Sequence, residues 1–401
     1  MKQGNAAKFF IFVTILVDVI GIGIIIPIVP ELIQELGGVD ETDAAKIGGW
    51  LMFAFAIMQF VFSPIMGGLS DRFGRKPILI LALFGLGLDY VFHAYAPTIF
   101  WLFVGRVIAG FFGASFTVAT AYMADISTPE TKAKNFGLIG AAFGLGFIIG
   151  PVIGGVAVQW GLKVPFFIAA GLSLLNMLYG IFILPESLDA KNVRPFELKR
   201  ANPVSSLLNL KTYPRIMGLV LAYFLIYLAG KSVESVWSYY TMYRFEWNAT
   251  EVAYSLAVVG ILVTIVQGGL IGKVVKKFGQ TNTIMIGYFF WTLGLILFGI
   301  AYQGWMMYSF IIVYCLGGVA GPTLQSVISN EVPDNAQGEL QGALTSLIST
   351  TSIIGPVLFT SVFAVFSGDD APFHLPGATF FLGAILAAIS MVLAVRSLRK
   401  G

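Results

Sequence analysis

The sequence predicts an all-α membrane protein built from twelve transmembrane helices in two six-helix bundles. Three observations lead to this fold class: a strongly apolar composition, a series of long apolar segments, and an internal repeat that relates the two halves of the chain. Of the 401 residues, 57% are hydrophobic and 11% are charged, whereas roughly a quarter of the residues in a soluble chain are charged. Most of the folded surface is therefore expected to face a lipid bilayer.

Long apolar segments define the spanning helices. A helix that crosses a bilayer needs about 20 predominantly apolar residues. We predict twelve segments of this length and composition, separated by short polar or charged loops. They run over residues 8–30, 47–69, 77–96, 98–124, 134–159, 162–184, 214–243, 250–271, 280–301, 304–329, 337–366 and 376–397.

The positive charges of the loops predict the orientation, because cytoplasmic loops carry an excess of Lys and Arg. With a cytoplasmic N-terminus, 19 of the 24 Lys and Arg residues fall on the inner side and three, Lys46, Lys163 and Arg244, fall in outer loops. Both termini are therefore predicted to be cytoplasmic. The acidic loop at 31–46 is then outside. We expect a multi-pass protein of a bacterial inner membrane.

The two halves of the chain repeat. Residues 148–152 recur as 353–357, and Phe73-Gly74 recurs as Phe278-Gly279, at the same offset of 205. Two parallel repeats of this kind are typical of transporters whose substrate site lies between the halves, near the bilayer midplane. The one long break in hydropathy separates the halves. The predicted domains are an N-terminal bundle at 1–184, a cytoplasmic linker at 185–213 and a C-terminal bundle at 214–401.

Composition also excludes several classes of function. A single cysteine, Cys315, cannot form an internal disulfide or a cysteine metal cluster, and the two histidines, His93 and His374, do not make a histidine-rich metal site. The net charge of +3 does not favour nucleic acid as a partner. With no nucleophile–base pair evident, we predict that the protein is not an enzyme and needs no metal or cofactor. Its expected partners are a small-molecule substrate and the lipid bilayer.

Charged residues inside the predicted spans indicate a proton-linked function. Asp18, Asp89 and Arg106 lie about 10–12 residues from a helix end, which places them deep in the bilayer at 1.5 Å per residue. Such charges are costly and mark functional sites by default. We predict Asp18 as the main proton-carrying acid, Arg106 as the cation that tunes it, and Asp89 as a second acid or a contact for a substrate cation. A static ion pair is the alternative. His93 is expected at the outer interface as a snorkelling side chain, with a proton relay one helical turn from Asp89 as the alternative.

Small residues in the fifth predicted helix are spaced so that another helix can approach closely. Gly146, Gly150, Gly154 and Gly155 form this pattern, which drives helix association in lipid, and Pro151 removes a backbone hydrogen bond and bends the helix. Generic close packing is the alternative. The residues predicted to line a substrate cavity are polar or aromatic: Gln59, Asn176, Tyr223, Tyr227, Trp237, Tyr240, Gln267 and Gln325.

Several motifs resemble one transporter family. The loop Gly67–Pro77 resembles the signature between the second and third helices of the major facilitator superfamily. Asp18–Gly23 resembles the first helix of tetracycline/proton antiporters, and the run Gly146–Gly155 is similar to their fifth-helix antiporter motif. The resemblance implies a monomeric transporter that exports a hydrophobic or amphipathic drug-like compound by alternating access. The proton would be its coupling ion.

The resemblance also implies a gating role for the Gly67–Pro77 loop. Asp71 would face the dipole of the eleventh helix near Gly338, where a helix N-terminus favours negative charge, and Arg75 would pair with Asp125. A basic turn that only fixes the orientation is the alternative. The predicted gating residues are Gly67, Asp71, Arg72, Gly74, Arg75 and Asp125.

The second half departs from the tetracycline antiporter pattern, which includes an acid in helix 9 and a histidine in helix 8. Here the segment 280–301 has no acid and the segment 250–271 has no histidine. Proton coupling is therefore predicted through the first half. A tetracycline-like substrate stays open, because two residues of the pattern that recognises a tetracycline–magnesium chelate are missing. Two rival functions stay open. One is transport of an endogenous sugar, metabolite or lipid on the same fold, and the other is a non-transporting receptor or scaffold.

Overall fold

The computed structural model describes residues 2–113, 115–127, 129–188, 193, 216–331, 337–368 and 371–398, which are almost entirely helical. The first half contains α1 (Lys2–Ile25), α2 (Val29–Gly37), α3 (Glu41–Phe73), α4 (Arg75–Ala94), α5 (Ile99–Phe112), α6 (Ser115–Asp125), α7 (Pro129–Ala157) and α8 (Val164–Ile183). The second half contains α9 (Met217–Phe245), α10 (Ala249–Ile265), α11 (Ile271–Ile300), α12 (Gly304–Leu316), α13 (Ala320–Asn330), α14 (Gln337–Ser367) and α15 (Ala378–Leu398).

Eleven stretches of the described chain are long and apolar enough to cross a membrane. One of them, Ala249–Ile300, has 52 residues, about 78 Å of helix at 1.5 Å per residue, which is enough for two crossings of about 30 Å. The backbone leaves the helical region inside this stretch, at Gly279. The predicted membrane fold with twelve crossings is confirmed. The cytoplasmic location of the termini stays a prediction, and "outer end" below means the end that this orientation places outside.

Equivalent positions of the two halves share unusual backbone geometry. Gly74, between α3 and α4, has φ 100°, and Gly279, at offset 205, has φ 76°. Glycine adopts such positive φ values without the cost that a side chain would add. The α5–α6 break at Gly113 likewise has a counterpart in the tight turn Gly317–Val319 between α12 and α13. The internal repeat seen in the sequence therefore extends to the turns.

Packing divides the chain into two units. The first unit contains Met1–Gly38, Ala54–Asn202 and Ala249–Ala257, and the second contains the remaining residues. This division differs from the predicted domains because the first part of α3 groups with the second unit and the first part of α10 with the first. The predicted domain boundaries stay a prediction. Most of the predicted linker lies outside the described residues, and the predicted contact of Asp71 with the helix that starts near Gly338 stays a prediction.

In the first unit α1 packs against α7 and α8, and α4 packs against α5, α6 and α8. Phe10, Ile15, Leu79 and Tyr122 are at most 1% exposed in its core. In the second unit α9 packs against α14 and α15, and α11 against α12 and α15. Large apolar side chains such as Phe182, which is 79% exposed, lie on the outside of the bundle, as expected for a surface that faces lipid.

Two helix boundaries at the outer end differ from the prediction. The first span ends at Ile25 rather than at residue 30, and a short helix, α2, follows with Pro30 in its first turn. Helix α3 begins at Glu41 rather than at residue 47, because Asp40 Oδ1 accepts hydrogen bonds from the Asp43 N–H (2.8 Å) and the Thr42 hydroxyl (2.7 Å). A polar cap therefore extends this helix beyond its apolar segment.

Candidate functional site

Asp18 is the acid at the centre of the first unit. It lies midway along α1, and the Ser115 hydroxyl at the start of α6 donates a hydrogen bond of 2.6 Å to its Oδ2. Tyr90 of α4 faces the next turn of α1, because a Cβ on Gly21 would lie 2.5 Å from the Tyr90 hydroxyl. Within the described residues, no cation lies within 4 Å of Asp18. The carboxylate is therefore held by a hydroxyl group rather than by an ion pair.

The break between α5 and α6 creates this arrangement. The sequence turns at Gly113, so that Ser115 begins a new helix and points its hydroxyl at α1. The Gln59 side-chain amide of α3 donates a 3.0 Å hydrogen bond to the Gly113 carbonyl, which the break has freed from helical bonding. Gln59, predicted as a cavity residue, thus supports the turn beside the acid. Ser115 was not predicted, since a serine in an apolar helix gives no distinctive signal.

Asp89, His93 and Arg106 form a second polar cluster, near the outer end of α4. Arg106 Nε donates to His93 Nε2 at 3.0 Å, and His93 Nδ1 lies 3.1 Å from Asp89 Oδ2. His93 is 3% exposed and its ring stacks on Phe166 of α8 at 6.0 Å. The expectation of a snorkelling interfacial histidine is therefore wrong. Arg106 is bonded to His93 and not to Asp18, so any effect of Arg106 on Asp18 acts through space.

The glycine face of α7 carries the antiporter motif. A Cβ on Gly150 would lie 2.7 Å from the Ile20 carbonyl and 2.9 Å from the Gly23 Cα, and a Cβ on Gly23 would lie 2.9 Å from Pro151 Cδ. The backbones of α1 and α7 are thus in direct contact, and α1 is the helix that carries Asp18. The other motif glycines extend this contact: Gly146 faces Val19, Gly154 faces Ile24 and Gly155 faces Ala253 of α10.

The outer ends of α2, α7 and α10 meet in the first unit. Glu31 of α2 accepts a 3.0 Å hydrogen bond from the Ala249 N–H, the first of α10, and the Thr250 hydroxyl donates to the Gly155 carbonyl at 2.7 Å. A carboxylate at a helix N-terminus meets free N–H groups and the positive end of the dipole. Burial nevertheless raises the pKa of Glu31 above its ordinary value, and the bond from Ala249 opposes this only in part.

Replacing Glu31 with glutamine is expected to remove one pH dependence of stability. A raised pKa means that the folded protein binds this proton more tightly than the unfolded chain does. In the unfolded chain the glutamate has a pKa of about 4.3. The free energy of unfolding of the parent should therefore fall as pH rises from that value through the raised pKa. The glutamine amide cannot ionise but can still accept the hydrogen bond from the Ala249 N–H. The unfolding temperature of Glu31→Gln in detergent should therefore depend less on pH over this range than that of the parent.

Asp40 provides a matched control, because its pKa shift is opposite in sign to that of Glu31. The pKa of Asp40 is lowered, mainly by the hydrogen bond from the Asp43 N–H. Its stabilising contribution is present above the ordinary pKa and is lost as pH falls through the lowered value. Asp40→Asn should therefore flatten the acid side of the same curve and leave the Glu31 range unchanged. Identical curves for the parent and Glu31→Gln would contradict the assignment.

Arg75 is the centre of the loop between α3 and α4. Its Nη1 lies 2.6 Å from Asp71 Oδ1, and its Nε lies 3.0 Å from Asp125 Oδ2 at the inner end of α6. The same Nη1 donates to the Ser70 hydroxyl oxygen. The pair between Arg75 and Asp125 was predicted, whereas its sharing with Asp71 was not. The remaining motif residues are peripheral: the Gly67 carbonyl accepts from Ser70, and the Arg72 guanidinium lies over the exposed Phe73 ring.

Glu186 closes this cluster and was missed by the sequence analysis. Its carboxylate accepts hydrogen bonds from the backbone N–H groups of Arg75 (2.9 Å) and Lys76 (3.1 Å), and so caps the N-terminus of α4. Gly74 is required beside it, because a Cβ there would lie 2.5 Å from Glu186 Oε2. The repeat glycine, Gly279, has nothing within 4 Å of such a Cβ. The turn is thus shared by both halves, whereas the acidic contacts are described only in the first.

The predicted cavity residues fall into two groups. Asn176, Trp237 and Tyr240 are at most 4% exposed and pack inside their units, with the Tyr240 ring 4.8 Å from Phe380. Their assignment as cavity lining is wrong for the described arrangement. Tyr223 is equally buried, at 1% exposed, and its hydroxyl lies 3.4 Å from Gln325 Oε1. Tyr227, Gln325 and Gln267 are not buried: the Tyr227 ring lies 4.6 Å from the Tyr223 ring, and Gln267 lies in a π-helical turn, Val266–Leu270.

Within the described residues, no group of three or more His, Cys, Asp or Glu side chains is arranged to hold a metal ion. The titratable groups of the site are instead separate: Asp18 with Ser115, Asp89 with His93 and Arg106, and Asp71 and Asp125 with Arg75. Such an arrangement can bind and release protons and form or break ion pairs.

Comparisons with known proteins agree with this chemistry. The sequence pattern of the Major Facilitator Superfamily matches residues 11–356. The chain is 39% identical to "Tetracycline resistance protein, class C" of Escherichia coli over 91% of both chains, and 35% identical to the class H protein of Pasteurella multocida over 99% of this chain and 97% of that one.

Solved structures share the fold. The human organic anion transporter MFSD10 (TETRAN) superposes with a TM-score of 0.74 at 21% identity, covering 98% of this chain and 99% of that chain. The nucleoside transporter NupG superposes with a TM-score of 0.73 at 16% identity, covering 100% and 99%. At these identities the likeness concerns the fold alone.

Proposed function

Because the chain belongs to the Major Facilitator Superfamily, we propose that it is a proton-coupled exporter of amphipathic drugs, with tetracyclines as the first class to test. It is a membrane transporter and not an enzyme, and it is a multi-pass protein of the inner membrane. Relatives that are 34–39% identical are tetracycline resistance proteins. We propose the proton as its coupling ion, a monomer as its working form, and no other cofactor.

The observation that carries the proton coupling is the pair of Asp18 and Ser115. A carboxylate in an apolar helix is costly as an anion. Because its described partner is a hydroxyl at 2.6 Å and not a cation, Asp18 can become neutral without leaving an unpaired positive charge. The hydroxyl can donate to the carboxylate and accept from the carboxylic acid. Both protonation states are therefore accommodated, as a proton carrier requires.

We propose that movement of α1 links this proton to transport. Asp18 lies on α1, whose backbone is in contact with the glycine face of α7. A change in the charge of Asp18 therefore acts on both helices. A neutral Asp18 has lower desolvation cost than the anion and favours the arrangement in which it is shielded from water. Release of the proton would favour the arrangement that admits water, and alternation between the two would carry the substrate outward.

The proposed gate is the cluster around Arg75. This side chain is only 10% exposed and bridges α3 to α6 through Asp71 and Asp125. The guanidinium binds the two carboxylates through different nitrogens, as charge-assisted hydrogen bonds. Loss of either contact would change the stability of the closed gate relative to the open gate. The cluster lies at the end of the unit that the orientation places in the cytoplasm.

Replacing Asp71 with asparagine should slow transport without unfolding the protein. Asp71 is 40% exposed, so its contact with Arg75 is expected to contribute about 0.5–1.5 kcal/mol, a roughly threefold to tenfold change in the gating equilibrium. Initial efflux rates should fall by a similar factor. Asp43→Asn is the matched control, because Asp43 forms an exposed pair with Lys46 (3.0 Å) outside the cluster. Unchanged transport by Asp71→Asn would contradict the gating role.

For the substrate we propose the aromatic and amide groups of the second half. Tyr227, Gln325 and Gln267 supply flat apolar faces and hydrogen-bonding groups, which suit amphipathic ring systems. Gln267 lies in a π-helical turn, a feature that is frequent at functional sites. The absence of an acid in 280–301 separates this lining from the tetracycline antiporter pattern.

Direction and driving force test the proposal. In everted membrane vesicles, an acidic lumen represents the cell exterior, so tetracycline should accumulate in the lumen when that gradient is imposed. Dissipating the gradient with nigericin should abolish accumulation. Accumulation only when the gradient is reversed would indicate an importer on the same fold. No gradient-dependent movement of tetracycline or of a panel of cationic and neutral amphipathic drugs would contradict proton-coupled export.

A further inference from the structure

A cavity opens at the outer end of the first unit, away from the glycine face and the Arg75 cluster. Its volume is about 220 Å³, large enough for several water molecules, since about 10–15 Å³ of such volume holds one. Glu35 and Leu36 of α2 form one wall, and Lys163 and Phe166 form another. Glu35 and Lys163 are exposed, so the cavity is accessible to water. His93 lies on its lining and is the point at which it meets the buried polar cluster.

We propose that His93 transfers protons between this cavity and the buried Asp89, beside the half-buried Arg106. The inference rests on the proposed proton coupling and names a route for the proton. The three side chains are continuous, with Arg106 Nε 3.0 Å from His93 Nε2 and Asp89 Oδ2 3.1 Å from His93 Nδ1. One nitrogen of the ring thus faces a cation and the other faces an acid.

The partners of His93 fix its protonation in this arrangement. The arginine guanidinium only donates hydrogen bonds, so Nε2 of His93 accepts and carries no hydrogen. The single ring hydrogen is therefore on Nδ1, which faces the Asp89 backbone carbonyl at 2.9 Å and the Asp89 carboxylate. His93 is neutral as long as the bond to Arg106 is present.

Asp89 is the acceptor at the inner end of the route. It is 1% exposed, and neither of its carboxylate oxygens has a hydrogen-bond partner among the described residues. His93 Nδ1 lies 3.1 Å from its Oδ2. A buried carboxylate with so few partners is costly as an anion. It is therefore a ready acceptor for a proton delivered by its neighbour.

The transfer can be written with all atoms balanced. A hydronium ion in the cavity gives one proton to His93 Nε2, which forms an N–H bond and displaces the Arg106 guanidinium. The Nδ1–H bond then breaks and its proton moves to Asp89 Oδ2. The products are water, neutral Asp89, neutral His93 with its hydrogen on Nε2, and an Arg106 no longer bonded to the ring. Proton entry is thereby coupled to release of the half-buried Arg106 guanidinium from the ring.

The charged and titratable groups around His93 are those of four elements. They are Asp89 and Tyr90 on α4, Tyr95 at the end of α4, Arg106 on α5, Glu35 on α2, and Lys163 immediately before α8. Phe166, the α8 residue that stacks on the ring, does not titrate. Because Glu35 and Lys163 are exposed and of opposite sign, they do not give the cavity a net charge. The proton balance at His93 is therefore set by Asp89 and Arg106.

His93→Gln is the variant that separates proton transfer from packing. The glutamine carbonyl can still accept from Arg106, but the amide cannot pass a proton. With tetracycline as the probe, substrate counterflow without a gradient should stay within about twofold of the parent, whereas transport driven by a pH gradient should fall by about tenfold or more, as for loss of a proton-transfer group. The dependence of transport on external pH should also flatten. His374→Gln, at the other histidine, should change neither.

A second variant tests the route without altering the cluster. Leu36→Trp should fill the cavity and reduce gradient-driven transport relative to counterflow, as His93→Gln does. If His93→Gln does not fold, Leu36→Trp alone tests the route. An unchanged ratio in either folded variant, or a parallel loss of counterflow and driven transport in folded His93→Gln, would overturn the proposal. If the parent shows gradient-driven transport and His93→Gln is unaffected, the His93 route is wrong and the proposed function stands. If the parent shows no gradient-driven transport, the proposed function is itself contradicted.

Discussion

Replacing Asp18 with asparagine should abolish proton-driven efflux and leave a folded protein. Asparagine has the same size and can still bond to the Ser115 hydroxyl, so packing between α1 and α6 is preserved. The amide cannot bind or release a proton. We expect gradient-driven transport to fall by roughly a hundredfold or more, as when a positioned proton-transfer group is removed. Everted vesicles give the transport rate, and thermal unfolding in detergent reports the fold.

Two further variants separate the role of the carboxylate from that of its hydrogen bond. Asp18→Glu retains a carboxylate and should retain part of the coupled transport, whereas Ser115→Ala retains the acid and should shift the pH dependence more than the maximal rate. Substrate counterflow is expected to survive in Asp18→Asn because no net proton movement is needed. Proton-driven transport by Asp18→Asn at the parent rate would show that another acid carries the proton.

Replacing Gly150 with valine should have the largest effect on folding. Its Cβ would lie 2.7 Å from the Ile20 carbonyl and 2.9 Å from the Gly23 Cα, and backbone atoms cannot move aside as a flexible side chain can. Overpacking of this kind costs about 1–3 kcal/mol. Separation of α1 from α7 would also move Asp18 away from Ser115. We expect a lower unfolding temperature in detergent together with loss of transport.

Gly171 provides the matched control for this substitution. It also lies in a membrane helix, α8, but nothing in the described structure is within 4 Å of a Cβ built there. Gly171→Val should therefore leave both the unfolding temperature and transport close to those of the parent. Equal effects at the two glycines would mean that valine disturbs these helices generally, and that contact with α1 is not the reason.

Much of the fold could be predicted from the sequence because one physical quantity, apolar length, decides where a helix crosses a bilayer. The superfamily and the twelve crossings are confirmed. Hydropathy fails where polar groups extend a helix. Asp40 caps α3, which begins at Glu41, six residues before its predicted start. Helix α2 was not predicted because its loop carries too many acidic residues to give a hydropathy signal. The helical segment that runs from Ile271 to the Gly279 turn was likewise not predicted, because hydropathy shows only the charged gap.

The candidate site was predictable only where a residue is unusual by itself. Asp18, Asp89 and Arg106 are conspicuous because charges are rare in apolar helices, and Arg75 because its loop is highly charged. Ser115 and Glu186 act through the positions that α6 and α4 give them, which no local pattern reveals. His93 was misplaced because distance from a helix end does not tell which side chains surround it. The buried Trp237 and Tyr240 show the same limit for cavity residues.

Proton movement driven by the substrate tests the central claim most directly. Proteoliposomes that contain a pH-sensitive dye are prepared without any pH gradient, and tetracycline is added outside under a voltage clamp set by potassium and valinomycin. Antiport predicts that tetracycline entering the lumen drives protons out, so the lumen should become alkaline with the parent protein and not with Asp18→Asn or protein-free liposomes. Acidification of the lumen, or an identical signal from all three samples, would contradict proton-coupled export.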